Sequence, residues 1–576
     1  MLKGYGVSPG IAIGKVVIKE NFDYEITDET VKNVDAALEE FNSAVLKTKE
    51  NTKKLYEKMV NKGSHSEAEI FKAHFMILED PEFIGSIKNE ILKTKKNPAF
   101  CINKVADHFI DMFQQMDDEY LKERALDIRD IKDQLMKSIF QYEELNVSNI
   151  KNQIVIAHEL TPSDTGNLDL DNVSGFITET GGQTSHTAIM AKSLEIPAIV
   201  GCKDVISQVD NNNQIIMDGA EGRIIVNPNK KTISDYKNKR NENTQFKKSL
   251  FELIGKETVS RDGKKVEIAA NIGTEKDLEG VLKYDAEGIG LFRTEFLYMN
   301  SDQFPTEAEQ FEIYKNVAIK MKNKPVIIRT LDIGGDKELS YYKFPNEMNP
   351  FLGYRAIRMC LKEQGIFKTQ LRAILRASNY GNLKIMFPMI SNLTELKKAK
   401  EVLDEVKSDL NKEGISFDKG IEVGMMIEVP SAALLTDILS KYVDFFSIGT
   451  NDLIQYTVAV DRMNENLENL YSPYNPAVLR LINTVIKNAH NNGIWVGMCG
   501  EVAGNPKLIP ILLGMGLDEF SMSSINILQS RLMINNIEYS KAKAYVPKIL
   551  KAETVSEVKS ILNQIELDFN LEEYYI

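Results

Sequence analysis

From residue 260 to the C-terminus, short apolar runs alternate with helical stretches. The runs are VEIAANIG, GIGLFRTEF, PVIIRTLDIGG, KIMFPMI, EVGMMIEVP, DFFSIGTND, WVGMCGE and EFSMSS. Eight buried strands with intervening helices are what a (β/α)8 barrel requires. This pattern claims more than half of the 576 residues and leaves little freedom for any other fold there.

The N-terminal part reads differently. The first 20 residues, with GIAIGKVVI, form a strand bounded by glycines. β character then disappears until residue 153. Leu38, Phe41, Val45, Thr48, Thr52, Leu55 and Met59 fall at alternating spacings of three and four, as a helical seam does, and Ile128, Ile131, Leu135 and Ile139 repeat it. Strands return in QIVIA, SGFITET, PAIVGC, QIIMDG and GRIIVNP. An α/β unit split by an inserted helical bundle explains this order. Residues 229–255 are strongly charged and lack proline, the mark of an exposed linker helix. The expected division is an α/β domain at 1–20 and 146–228, a helical domain at 28–143, a linker helix at 229–257, and a barrel at 258–576. The fold class is multidomain α/β.

A formal net charge of -13 argues against a nucleic-acid surface and against anionic membranes. It does not exclude a small anionic substrate, because a few arginines in a cleft reverse the local field. The four cysteines, Cys101, Cys202, Cys360 and Cys499, form no C-x-x-C pair, which points to a reduced, intracellular setting. No apolar leader or membrane span is expected.

The stretch GGQTSHTAIMAKSLEIPAIVGC holds His186, one of only six histidines. Thr184 suits an N-cap, which puts His186 in a first helical turn beside free N–H groups, with Ile189 and Met190 starting the buried face. A phosphoryl group carried on an imidazole nitrogen needs such a place. A capping histidine without chemistry is the alternative. A helix terminus contributes about 0.3–1 kcal/mol, whereas a millimolar ligand needs about 4 kcal/mol. A donor molecule must therefore be held elsewhere. Among the other histidines, His74 is expected on a helix surface.

Polar residues gather where the barrel runs finish: Asn271, Arg293 with Glu295, Arg329 with Asp332, Glu428, Asn451 with Asp452, and Cys499 with Glu501. Singly, each is a surface-loop residue. Jointly, they mark the catalytic face of a barrel. Arg293 and Arg329 can clamp phosphate and carboxylate oxygens. Glu428 and Asp452 are hard ligands that suit Mg²⁺. Arg462 can reach phosphate, and Arg355 and Arg358 add positive charge from a helix. Cys499 is either a small core residue or a proton donor.

These motifs together resemble enzyme I of bacterial phosphoenolpyruvate:sugar phosphotransferase systems, the phosphoenolpyruvate-protein phosphotransferase family. GVSPGIAIGKV, FKAHFMILEDPEF, DEYLKERALDIRDI, the His186 stretch, GIGLFRTEFLYM, GYRAIR, IGTNDLIQY and GMCGE carry the likeness over essentially the whole chain. The resemblance implies that phosphoenolpyruvate binds the barrel with Mg²⁺. It assigns Arg293, Arg329, Arg462, Asn451 and Asp452 to substrate, and Glu428 and Asp452 to the metal. It makes His186 the phosphorylated residue, on Nε2, and Cys499 the acid that converts enolate to pyruvate. It further implies transfer to a histidine of the phosphocarrier protein HPr, docked on the helical insertion. A homodimer through the barrel and a cytoplasmic location complete the implied picture.

Two relatives of this pattern are alternatives. A dikinase-type enzyme needs a large nucleotide-binding domain, for which the helical N-terminal part leaves no room. A regulatory phosphorelay paralogue carries an additional sensory domain, not expected ahead of GYGVSPG.

Overall fold

The strand runs of the C-terminal part are apolar along their whole length because both faces of each strand are covered. Val423–Ile427 and Phe445–Ile448 are buried at every position, as parallel strands walled by helices must be. In chain order the barrel strands are β9 (Glu267–Ile272), β10 (Gly288–Arg293), β11 (Val326–Arg329), β12 (Leu383–Phe387), β13 (Val423–Ile427), β14 (Phe445–Ile448), β15 (Trp495–Met498) and β16 (Glu519–Met522). Each pairs in parallel with the next, and β16 returns to β9 with Glu519 opposite Glu267 and Ser521 opposite Ala269. All eight predicted runs supply a strand, so the expected (β/α)8 barrel is observed.

The computed structural model describes residues 2–19, 24–61, 65–114, 119–142, 152–167, 172–182, 188, 191, 196–299, 301–335, 337, 339, 341–462, 464, 467 and 469–574. Two compact units emerge, Met1–Gln245 and Phe246–Ile576. The division falls inside the charged helix Lys230–Leu250, whose only buried residue is Leu250.

Local chemistry starts the outer helices of the barrel. Thr306 and Glu309 form a capping box ahead of Glu307–Met321, and Asn392 accepts from the Glu395 amide at 3.0 Å ahead of Leu393–Lys412. The barrel interior is packed by Leu291, Ile327, Met386, Met426, Phe445 and Cys499. Gly424 makes room for that packing, since a Cβ there would lie 2.5 Å from the Phe445 ring.

The N-terminal unit is built on β1 (Leu2–Lys3), β2 (Tyr5–Ser8), β3 (Ile11–Ile18), β4 (Gln153–Ala157), β5 (Val173–Thr178), β6 (Ala198–Val200), β7 (Gln214–Asp218) and β8 (Arg223–Val226). Their order in the sheet is β1-β8-β7-β3-β4-β5-β6-β2. β3 and β4 are parallel neighbours, with Lys15 opposite Gln153 and Ile18 opposite Ile156. Between them come the helices Val34–Asn61, His65–Glu79, Pro81–Thr94, Pro98–Gln114 and Glu119–Ile139. The predicted seam is buried from Phe41 to Met59, with Leu38 half-buried. Its two hydroxyls are satisfied: Thr52 donates to the Thr48 carbonyl at 2.9 Å, and Thr48 shares a 3.0 Å hydrogen bond with Ser138.

His74 departs from expectation. It is 1% exposed, not a helix-surface residue. Its Nε2 lies 3.2 Å from Asp127 Oδ1, and Nδ1 lies 3.8 Å from Asp130. Asp130 in turn accepts from the Ser163 amide at 3.1 Å. The histidine thus belongs to a buried polar chain linking the helical insertion to the segment after β4, and buried polar groups are kept by such partners.

Candidate active site

Each strand-end residue predicted from sequence lies at the C-terminal end of its barrel strand. Arg293 ends β10, Arg329 ends β11, Glu428 follows β13, and Cys499 follows β15. Asn451 and Asp452 open the helix Thr450–Val458 after β14. Together with Arg355, Arg462 and Glu501 they line one cavity of about 470 Å³. Glycines allow the strand ends to close on it: a Cβ on Gly500 would lie 1.8 Å from Thr450 Oγ1.

The cavity wall is a charge network. Arg329 donates to Glu295 and lies 2.9 Å from Asp332. Asp332 also receives Arg355 at 2.9 Å and Lys337 at 3.3 Å. Lys337 bonds Glu295 at 2.8 Å. Burial opposes the charge of Arg329, but Glu295 and Asp332 outweigh it and hold its pKa above the ordinary value. Burial likewise opposes ionisation of Asp332, yet Arg355, Lys337 and Arg329 hold it well below the usual carboxylate range.

Several buried atoms that border the cavity lack hydrogen bonds: Glu295 Oε2, Arg329 Nε, Arg355 Nε and Asp452 Oδ1. Arg293 is half-buried and makes no hydrogen bond or ion pair with the described residues. Unmet donors and acceptors of this kind are costly unless a ligand engages them. Arg462 lies 3.5 Å from Asp452.

Glu428 is 1% exposed and accepts from the Met389 amide at 2.6 Å. Burial, then the nearby Asp452 and Asp332 carboxylates, push its pKa up to about 8. Two carboxylates that repel each other beside a cavity suit a divalent cation. Among the described residues no group of three or more candidate protein ligands forms. A Mg²⁺ site needs only one or two carboxylates when substrate and water supply the other oxygens, so the donor set fits.

Cys499 is 2% exposed, with Sγ 3.9 Å from the Ile448 carbonyl. Burial pushes its thiol up to about 11, so it stays protonated. It both packs the barrel interior and borders the cavity. Arg358 is not brought into the cavity. Its guanidinium donates to the carbonyls of Leu352 (2.8 Å) and Gly353 (3.0 Å), and so braces a loop. Sequence reasoning missed Lys337, Met426 and Tyr471, which line the same space. Lys337 stands in DIGGDK just beyond a predicted strand end and could have been found there. Met426 sits inside an apolar run and gives no signal.

His186, with Thr184, Ser185, Ile189 and Met190, lies outside the described residues. Beside them, Gly181 has φ 97, and Ala188 and Ala191 are buried against Val155 and Phe176. Thr180 Oγ1 donates to the His158 carbonyl at 2.9 Å.

Comparison with known proteins places this closed barrel among the phosphoenolpyruvate-utilising enzymes. Residues 247–539 match the family described as PEP-utilising enzyme, PEP-binding domain. Residues 150–222 match its mobile domain and residues 3–124 its N-terminal domain. The chain is 50% identical over 564 residues to the phosphoenolpyruvate-protein phosphotransferase of Bacillus subtilis (strain 168), covering 98% of this chain and 99% of that one. It is 48% identical to the protein of that name from Staphylococcus carnosus (strain TM300), covering 98% of each. This chain belongs to the phosphoenolpyruvate-protein phosphotransferase family.

Proposed function

We propose that the barrel mouth binds phosphoenolpyruvate, that its phosphoryl group passes to His186, and that HPr then receives it from His186. The observation that carries this reading is the convergence of Arg293, Arg329, Arg462, Glu428 and Asp452 on one cavity. The chain is a phosphotransferase, as its family is. Arg293, Arg329 and Arg462 neutralise charge on the phosphoryl and carboxylate oxygens, with Asn451 and Arg355 at the same wall. Glu428 and Asp452 would hold Mg²⁺, which supplies Lewis-acid neutralisation of substrate oxygens.

The His186 imidazole attacks phosphorus in line, the P–O bond to the enolate breaks, and the enolate leaves. The protonated Cys499 thiol gives its proton to the enolate methylene carbon, forming pyruvate, and the thiolate regains a proton from solvent. Nucleophile and substrate pocket belong to different compact units, and the proposal has the histidine-bearing part travel between the barrel and the HPr-binding helices. The matching division is an α/β phosphohistidine domain at 1–20 and 146–228, an HPr-binding helical domain at 28–143, a linker at 229–257 and a barrel at 258–576. We also propose a homodimer through the barrel and a cytoplasmic location. No helix among the described residues is long and apolar enough to cross a membrane.

The deciding experiment incubates the protein with radiolabelled phosphoenolpyruvate, Mg²⁺ and purified HPr, then maps the label. Label should appear on His186 and chase to HPr, and His186→Ala should take none. Undiminished labelling of that variant overturns the assignment.

A further inference from the structure

The opposite, N-terminal mouth of the barrel holds a second cavity, of about 590 Å³. Into it points Glu519, the first residue of β16, which is 2% exposed. Its Oε1 is buried and has no hydrogen-bond partner. Two glycines leave the space its carboxyl occupies. A Cβ on Gly290 would lie 2.3 Å from that oxygen, and one on Gly497 would lie 3.0 Å from it. Its register partner on β9 is Glu267, which also lines the cavity. The Glu267 carboxylate makes no hydrogen bond or ion pair with the described residues.

The other charges around this mouth are matched. Glu422 is paired with Lys384 at 2.9 Å and accepts from Trp495 Nε1 at 3.1 Å. Asp518 is paired with Lys264 at 3.0 Å and His490 at 2.7 Å. Glu257 is paired with Lys265 at 2.7 Å. Glu287 accepts from the amides of Thr258 and Ile268. What remains is two carboxylates side by side, one of them buried, with no ion pair of their own: Lys384, the cation that acts on both, is itself paired with Glu422. Burial and the Glu267 charge push the Glu519 carboxyl up to about 8. It thus retains a proton where a cation would otherwise sit.

We propose that this mouth is a ligand site for a small primary ammonium compound, held between Glu267 and Glu519. Among the described residues no third candidate metal ligand joins the two carboxylates, and at this mouth, unlike the opposite one, no phosphate-bearing substrate is proposed to supply further oxygens. An ammonium group has three N–H donors and can bridge two carboxylates. Trp495 borders the cavity, its ring stacked on Phe445 with centroids 4.5 Å apart and the Lys384 ammonium 4.6 Å from its own centroid.

Trp495 is the single tryptophan of the chain and lines this cavity, so the emission has one source, at this mouth. The probe is the short diamine putrescine, titrated into full-length protein at fixed ionic strength while Trp495 emission is followed. A saturable change is expected. Butanediol, its uncharged counterpart, should give none. Glu519→Gln and Glu267→Gln should each weaken the response at least about tenfold. Glu267 is exposed, so its variant stays folded even if Glu519→Gln does not. Saturating phosphoenolpyruvate and Mg²⁺ should leave the titration in place, because they address the other end of the barrel. No saturable change up to about 10 mM, far weaker than a millimolar ligand, would overturn the proposal. So would an equal response to butanediol, or a response that both variants leave untouched.

Discussion

The Arg355 guanidinium lies 2.9 Å from Asp332 Oδ1, with each residue 1% exposed. This pair is the inner end of the network that also holds Arg329 and Lys337. Removing one member of a buried pair strands the other charge, at a cost of about 3–5 kcal/mol.

Asp332→Ala should therefore destabilise the barrel by about 3–5 kcal/mol, read as a lower urea midpoint. The double variant Asp332→Leu with Arg355→Met should recover part of that loss, because Arg355 is no longer stranded while Arg329 and Lys337 keep Glu295 as a partner. A single variant that unfolds within about 1 kcal/mol of the parent would show that the pair is solvated in solution.

Arg293 presents the opposite case. It is half-buried and without a partner among the described residues, so Arg293→Gln should change stability by less than about 0.5 kcal/mol. If it clamps phosphoenolpyruvate, kcat/KM for that substrate should fall about 10- to 100-fold, the worth of a charge-assisted hydrogen bond. Equal activity of parent and variant would remove Arg293 from the substrate set.

Cys499→Ala separates two steps. Phosphorylation of His186 should persist, whereas pyruvate formation in a single turnover should slow. Burial raises the thiol to about 11, so the donor form persists as pH rises and is lost only as pH passes through that value. The pyruvate-forming step should accordingly show no thiol ionisation below about pH 10. Unchanged pyruvate formation in the variant would leave Cys499 as a packing residue only.

Glu519 links barrel stability to pH. Its folded pKa, about 8, lies above the ordinary glutamate value of about 4.3. The folded state therefore binds the extra proton. Its contribution is complete below the unfolded pKa and is lost as pH rises through the folded one. Between about pH 4 and 8 the parent should lose stability relative to Glu519→Gln, with an upper bound of about 5 kcal/mol. Parallel pH profiles for the two proteins, measured by urea denaturation, would contradict this.

Much of the barrel was legible because each strand is a closed apolar run, and each run ends in residues an apolar core rejects. Arg293, Arg329, Glu428 and Asp452 could be gathered into one site before any coordinates, since a barrel has a single catalytic face. Other features depend on neighbours distant in sequence. EFSMSS opens with a glutamate that looks like a surface residue. Only register with Glu267 and the space beside Gly290 place it inside. His74 has the local spacing of an exposed helix position, and its burial follows from Asp127 and Asp130 on another helix. Arg358 shares the GYRAIR motif with Arg355, yet its guanidinium turns to loop carbonyls and not to the cavity.

The parallel pairing of β3 with β4 sets a limit on how this chain can be trimmed. Parallel neighbours cannot be joined by a tight turn and need a return path of a dozen or more residues. Excising the five helices and splicing Ile18 directly to Gln153 would demand a link that stereochemistry forbids. A minimal version of the α/β body must therefore keep a surrogate bridge across the sheet, and any transplant of the helical cassette must land between two strands that run the same way.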